Sequence, residues 1–250
     1  MGFSARVVAV VATLVLASCA PADAPAPTTT PPPSSVTPRT SPAVTPTTSE
    51  PTTSVDLGGV TLVLPTSASV EELPDGSLAL SLPAVPEPTI AIDGSPWQVV
   101  AGRITIANGW LLTRPTATDD AGAETVSPFR ADGAAARIDA PEAATSVTFL
   151  AGTTLVESAE WESAARILVT PTRLARDLTP GDPLGAVALA PVMMAELIDS
   201  QPEYEALLDT PSSVNQLACH MIGAATKDTW NLETDREDKG LAGFITSRCN

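Results

Sequence analysis

His220 is the single histidine of this 250-residue chain, and it stands directly after Cys219. An imidazole can move protons near neutral pH or ligate a metal, so it is the first residue to weigh for chemistry. One histidine excludes a multi-histidine metal centre. It does not exclude a Ser-His-Asp triad, but no serine stands in a recognisable nucleophile context. The sequence also lacks Gly-x-Ser-x-Gly, His-Glu-x-x-His, a Gly-rich phosphate loop and Cys-x-x-Cys. Glu157, Glu160 and Glu162 flank Trp161 and could supply paired carboxylates for glycoside chemistry. The run Glu233-Thr234-Asp235-Arg236-Glu237-Asp238-Lys239-Gly240 invites a calcium loop aligned on Gly240. Lys239 and Thr246 then fall where oxygen ligands are required, so a solvated, self-paired turn is the better reading. No catalytic residue, metal ligand or cofactor is assigned.

Cysteine chemistry says more about location. Arg6 begins a short positive start, Val7 to Leu16 form an apolar run, and Leu16-Ala17-Ser18-Cys19 closes it. That pattern is similar to a lipoprotein signal, in which the cysteine takes a diacylglycerol and becomes the mature N-terminus. The run of about ten residues is too short to span a bilayer. We therefore read residues 1–18 as a signal peptide and Cys19 as the lipidation site. The lipid would hold an exported protein on the outer face of the cytoplasmic membrane or in the cell wall. Residues 19–54 are almost wholly Pro, Thr, Ser and Ala, a linker that could reach on the order of 100 Å in extended form. Cys219 and Cys249 remain, and in an oxidising compartment they are expected to pair. Closing a loop of about thirty residues stabilises by roughly 3–4 kcal/mol on the chain-entropy model.

The chain carries 13 basic and 29 acidic residues, a formal charge of -16. Removing the first 54 residues takes away Arg6, Arg39, Asp23 and Glu50, so the remainder keeps that charge. A surface this negative repels phosphate backbones and argues against nucleic acid as a partner.

Beyond Val55 the hydrophobic period is two. Val60–Leu64, Leu78–Leu82, Thr89–Ile92, Ser146–Leu150 and Arg166–Thr170 read as strands. Arg103–Ala107 and Trp110–Thr113 flank Asn108-Gly109, which predicts a two-residue type I′ hairpin. After Thr179-Pro180-Gly181 the period becomes helical. Leu184–Ile198 reads as a helix broken or kinked near Pro191, and a second helix follows Ser212-Ser213 as N-caps. Its stripe Val214, Leu217, Ala218, Met221, Ile222, Ala225 leaves His220 off the apolar face, at a boundary. A last helical turn is expected around Leu241, Phe244 and Ile245. The fold class is α+β: an antiparallel sheet or sandwich over 55–180, then a small disulfide-closed helical module over 181–250.

Asn215-Gln216-Leu217-Ala218-Cys219-His220, then Trp230-Asn231-Leu232-Glu233, then Cys249-Asn250 carry a resemblance. In order and spacing they resemble DUF2599, a family of unknown function in secreted actinobacterial proteins. The resemblance covers about the last forty residues and supports the disulfide and the exported location. It implies no activity. The chain departs from the family after Leu232-Glu233, where Thr234–Leu241 replaces an expected Trp-Arg-Pro-Asp-Val-Gly-Tyr. His220, Trp230 and Asn231 form the candidate functional surface. A purely structural knot is the competing account, with Trp230 buried and Asn231 capping a turn. The leading expectation is a non-enzymatic binding or interaction module acting on a cell-wall component or another envelope protein. An envelope hydrolase using His220 or acidic pairs, and a solute-capture lipoprotein, are the alternatives.

Overall fold

Thr52, Thr53 and Val55 are β-branched, a composition that favours a pleated strand. The computed structural model describes residues 51–84 and 88–249. Residues 1–18, Cys19, the linker up to residue 50 and Asn250 lie outside them. From Pro51 onward the described chain falls in one unit. Its first strand, β1 (Thr52–Asp56), starts inside the stretch read as linker. It pairs with β2 (Thr61–Pro65) from Thr52↔Pro65 to Asp56↔Thr61.

Eleven further strands follow, all antiparallel: β3 (Ser69–Glu72), β4 (Leu78–Pro83), β5 (Thr89–Asp93), β6 (Trp97–Val100), β7 (Arg103–Ile106), β8 (Leu111–Leu112), β9 (Thr116–Asp119), β10 (Glu124–Val126), β11 (Phe129–Asp132), β12 (Ala135–Ile138) and β13 (Ala144–Gly152). One sheet has the order β1-β2-β5-β12-β11. In the other, β13 is the spine: β4 and then β3 lie on one side, while β9-β10 and β8-β7-β6 share the other. Leu62, Leu64, Ile90, Ile92 and Ile138 of the first sheet pack against Leu80, Leu82, Ile104, Val147 and Phe149 of the second. The rings of Phe129 and Phe149 meet edge to face across that core at 5.2 Å. This is the sandwich expected from the alternation.

The second core begins where the sandwich ends. β14 (Val156–Ser163), β15 (Arg166–Pro171) and β16 (Trp230–Glu233) make a three-stranded antiparallel sheet. It packs with α1 (Arg173–Leu178), α2 (Pro183–Ser200), α3 (Glu205–Leu208) and α4 (Pro211–Gly223). α5 (Gly240–Thr246) packs on α4 beside the Cys219–Cys249 disulfide. Leu111 and Leu150 join this core from the opposite face of the second sheet, so β13 serves both. The helical module therefore carries its own sheet, and Trp230-Asn231-Leu232-Glu233 is a strand. Asn231 lies inside it and caps no turn.

Helix ends follow their caps more closely than their stripes. α2 runs through Pro191 without a break, capped by the Asp182 carboxylate on Gly185 N–H, with Pro183 in the first turn. α4 is capped by Thr210, whose hydroxyl accepts from Ser213 N–H, so Ser212 and Ser213 lie inside the first turn. α2 is also long and apolar enough to cross a membrane by length and composition, yet one side of it is core: Ala186, Leu189, Ala190, Met193 and Leu197 are buried.

The Asn108-Gly109 hairpin forms, with a different turn. Ile106 N–H donates to Trp110 O, Gly109 N–H to Ile106 O, and of the loop residues only Gly109 has positive φ. That is a longer loop with a bulged glycine. Asn108 instead donates through its side chain to Leu57 O, tying the loop to the β1–β2 connection. The two-residue turn with positive φ at both centres is one hairpin earlier, Ala101 (φ 50) and Gly102 (φ 78) between Val100 and Arg103. A left-handed alanine costs about 1 kcal/mol. Ala101→Gly or Ala101→Asn is expected to raise stability by roughly 0.5–1 kcal/mol in a urea titration. Gly102→Ala should lower it, because the new Cβ would sit 2.6 Å from Pro128 Cβ. An unchanged midpoint for Gly102→Ala would refute this account of the turn.

Candidate functional site

β16 is the edge strand of the third sheet, paired on one side with β15 from Arg166↔Glu233 to Val169↔Trp230. An open edge leaves strand N–H and C=O groups without partners. Here α4 closes it with side chains one turn apart. The Gln216 amide donates to Glu233 O at 2.9 Å and accepts from Glu233 N–H at 3.0 Å. His220 Nε2–H donates to Asn231 O at 2.8 Å. Gln216 and His220 thus stand where another strand's backbone would be. Trp230 is fully buried against the same helix, its indole N–H donating to Ala224 O at 2.9 Å.

The structure therefore brings His220, Trp230 and Asn231 together, but not at a surface. His220 and Trp230 have no solvent exposure, and only Asn231 is half-buried. The helical stripe misplaced His220 because α4 is covered by α2, the third sheet and α5. Gln216 to Met221 are all buried, so the side of the helix that carries His220 is covered as well. Burial lowers the His220 pKa to about 4, the hydrogen bond to Asn231 opposes that, and Lys227 adds to it. The imidazole is neutral at pH 7, with Nδ1 buried and without a hydrogen-bond partner. Among the described residues, no serine or carboxylate is hydrogen-bonded to it.

The acidic candidates scatter. Glu160 is exposed, Glu162 pairs with Arg166 at 3.0 Å, and the Trp161 ring packs on Tyr204 at 4.4 Å. In the Glu233–Gly240 turn, Arg236 pairs with Glu233, and Asp238 accepts from Asn215 Nδ2 and Gly240 N–H. That is the self-paired turn expected. Among the described residues no group of three His, Cys, Asp or Glu side chains could hold a metal.

A cleft that sequence reasoning missed lies on the outer face of the second sheet. It has a volume of about 620 Å³. Its floor includes Ser81, Thr148 and Thr116 of the adjacent strands β4, β13 and β9. Its rims carry Glu71 and Glu124, and α1 overhangs it with Arg173 and Asp177 beside Arg114 and Pro180. Burial raises the Asp177 pKa, against the pull of Arg173. The sequence signal was the outward half of the alternation, as in Leu80-Ser81-Leu82, Thr116-Ala117-Thr118 and Val147-Thr148-Phe149.

α1 is held at both ends by the sandwich. At its start, Asp75 of the β3–β4 turn accepts from Arg173 N–H at 2.7 Å. Burial would raise the Asp75 pKa, but bonds from Ser77 and Arg173 hold it below the usual range. At its end, Arg103 of β7 donates to Leu178 O and pairs with Asp182 at 2.7 Å. Burial lowers the Arg103 pKa, and Asp182 opposes it. Arg114 Nη2 donates to Pro180 O at 3.2 Å alongside.

Residues 156–250 match the DUF2599 family. The family is described as proteins of unknown function. No curated protein and no solved structure matches the chain. The DUF2599 match opens at Val156, the first residue of β14, so it spans the third sheet and the five described α-helices and leaves out the sandwich. Each residue of the DUF2599-like run Asn215–His220 has a place in the packing. Asn215 holds Asp238, Gln216 and His220 close β16, Leu217 and Ala218 enter the core, and Cys219 bonds Cys249. The cleft crosses the boundary of the match: Arg173, Asp177 and Pro180 fall inside it, and the hydroxyl floor outside.

The lowered His220 pKa sets the sign of a pH effect. The unfolded chain binds a proton near pH 6.5 that the folded chain refuses until about pH 4. The resulting stabilisation, on the order of 3 kcal/mol, is complete above pH 6.5 and lost as pH falls toward 4. His220→Gln keeps an N–H for Asn231 O and cannot titrate there. Its unfolding free energy is expected to vary less between pH 4 and 6.5 than that of the wild type. Equal pH slopes for the two would assign the acid sensitivity to other groups.

Proposed function

We propose that this chain is a lipid-anchored cell-envelope protein and a non-enzymatic binding module whose ligand occupies the cleft under α1. Cys19 anchors it, the Pro/Thr/Ser-rich segment lifts it from the membrane, and the sandwich and helical module present the site. The observation that carries the binding assignment is the cleft itself. Its volume of about 620 Å³ is within the range of small-molecule and short-oligomer sites. It joins charged side chains from two separate cores and is roofed by a short helix clamped at both ends. The earlier candidate, His220 with Trp230, is sealed from solvent inside the core, which favours the cleft over an imidazole-based hydrolase.

Two experiments test the two halves of this reading. Cys19→Ala is expected to release the protein into the soluble or culture fraction; continued detergent-dependent extraction would refute the anchor. Residues 20–250, made without lipid and with the disulfide formed, are expected to pellet saturably with isolated cell-wall material. Thr148→Arg, which fills the cleft floor from an exposed position, should abolish that pelleting with its melting temperature unchanged. Pelleting that survives Thr148→Arg places the contact elsewhere and sinks the site.

A further inference from the structure

We propose that the cleft recognises a neutral oligosaccharide laid across the strands, an inference that rests on the binding-module reading above. The register makes a single row: Ser69 faces Ser81, Ser81 faces Thr148, and Thr148 faces Thr116 across four neighbouring strands. At about 4.8 Å per strand the row is roughly 14 Å long. The four hydroxyls make no hydrogen bond to the described residues, so each has both its donor and its acceptors open to a ligand.

The surroundings select among ligand classes. A peptide added to a sheet pairs through its main chain with an open edge. β4, β13 and β9 are each paired on both sides where the floor lies, so their backbones have no such edge to offer. Over the floor only side chains face the ligand; the open strand edges belong to β3 and β10, at the two rims. Leu80 and Phe149 beneath the floor are buried, while Leu73, Ala79 and Val126 line the cleft itself, so the walls mix apolar and hydroxyl surface as the two faces of a sugar ring do. A polyanion meets Glu71, Glu124 and Asp177 against two guanidiniums, on a chain of charge -16. Hydroxyls, guanidinium donors and carboxylate acceptors together complement a partner that donates and accepts at every position. Sugar hydroxyls do that. The long direction of the row sets an extended chain of several rings rather than a single monosaccharide.

The test uses isolated cell-wall material in three states: untreated, oxidised with periodate to break vicinal diols, and digested with protease. Residues 20–250 are compared as wild type, Thr148→Val and Thr148→Ser, with melting temperatures recorded for each. Periodate is expected to remove pelleting and protease to leave it. Thr148→Val, which keeps the shape and deletes the hydroxyl, should weaken binding about 3- to 10-fold, while Thr148→Ser stays near wild type. Binding lost to protease and kept after periodate overturns the oligosaccharide in favour of a protein partner and leaves the cleft as a binding site. Thr148→Val binding equal to wild type also overturns it, because the hydroxyl row would then be idle. Pelleting that persists in Thr148→Arg removes the cleft and the oligosaccharide together.

Discussion

The arrangement of the whole domain hangs on how a six-residue helix is held. α1 is too short to be stable by itself, since helices under about twelve residues are marginal in water. It persists because the sandwich supplies a carboxylate at its N-terminus, Asp75, and a guanidinium at its C-terminus, Arg103. Both signs agree with the helix dipole. Arg103 is also the costlier partner, because it is buried to 2% exposure and has one guanidinium nitrogen without a partner. Removing Asp182 would strand a buried charge, so the pair specifies how β7 meets the start of α2 more than it adds net stability.

A second constraint shapes the helical half. A three-stranded sheet with an open edge needs a cover, and α4 provides it with an amide and an imidazole in place of a strand. The position fixes their chemistry. Gln216 must both donate and accept, and His220 must donate while remaining neutral in a dry interior. Cys219, next to His220, turns instead toward α5, where Phe244 and Cys249 complete a small cluster of their own. Adjacent motif residues, about 100° apart around the helix, therefore serve different neighbours. That is why a conspicuous Cys-His pair here carries packing.

Much of the architecture was legible in the sequence because burial in a sandwich follows a period of two. The strands at Leu78, Thr89, Arg103, Ser146 and Arg166 can be read in that way, the helix at Leu184 from its 3.6-residue period, and the Cys219–Cys249 pairing from the cysteines left once Cys19 is set aside. Other features were not. β14 alternates poorly, its residues being mostly exposed and interrupted by two register shifts. β16 is four residues long and owes its state to β15 and α4. Asn108-Gly109 has the composition of a tight turn, but the side chain of Asn108 is drawn to Leu57 O. Ala101-Gly102 forms such a turn with a residue that disfavours it. The cleft was illegible for a different reason: its residues come from β3, β4, β9, β10, β13 and α1, and only the tertiary register sets them side by side.

β13 belongs to both cores, and the cleft opens where its outer face passes from beneath the helical half into solvent. If the proposed site is occupied, a guest seated there would touch Thr148 of the sandwich and Arg173 or Asp177 of α1 at once. Occupancy is then thermodynamically linked to the docking of one half on the other. Whatever tightens the seam favours the guest, and the guest in turn resists shearing of the two halves. The site and the joint are one mechanical element.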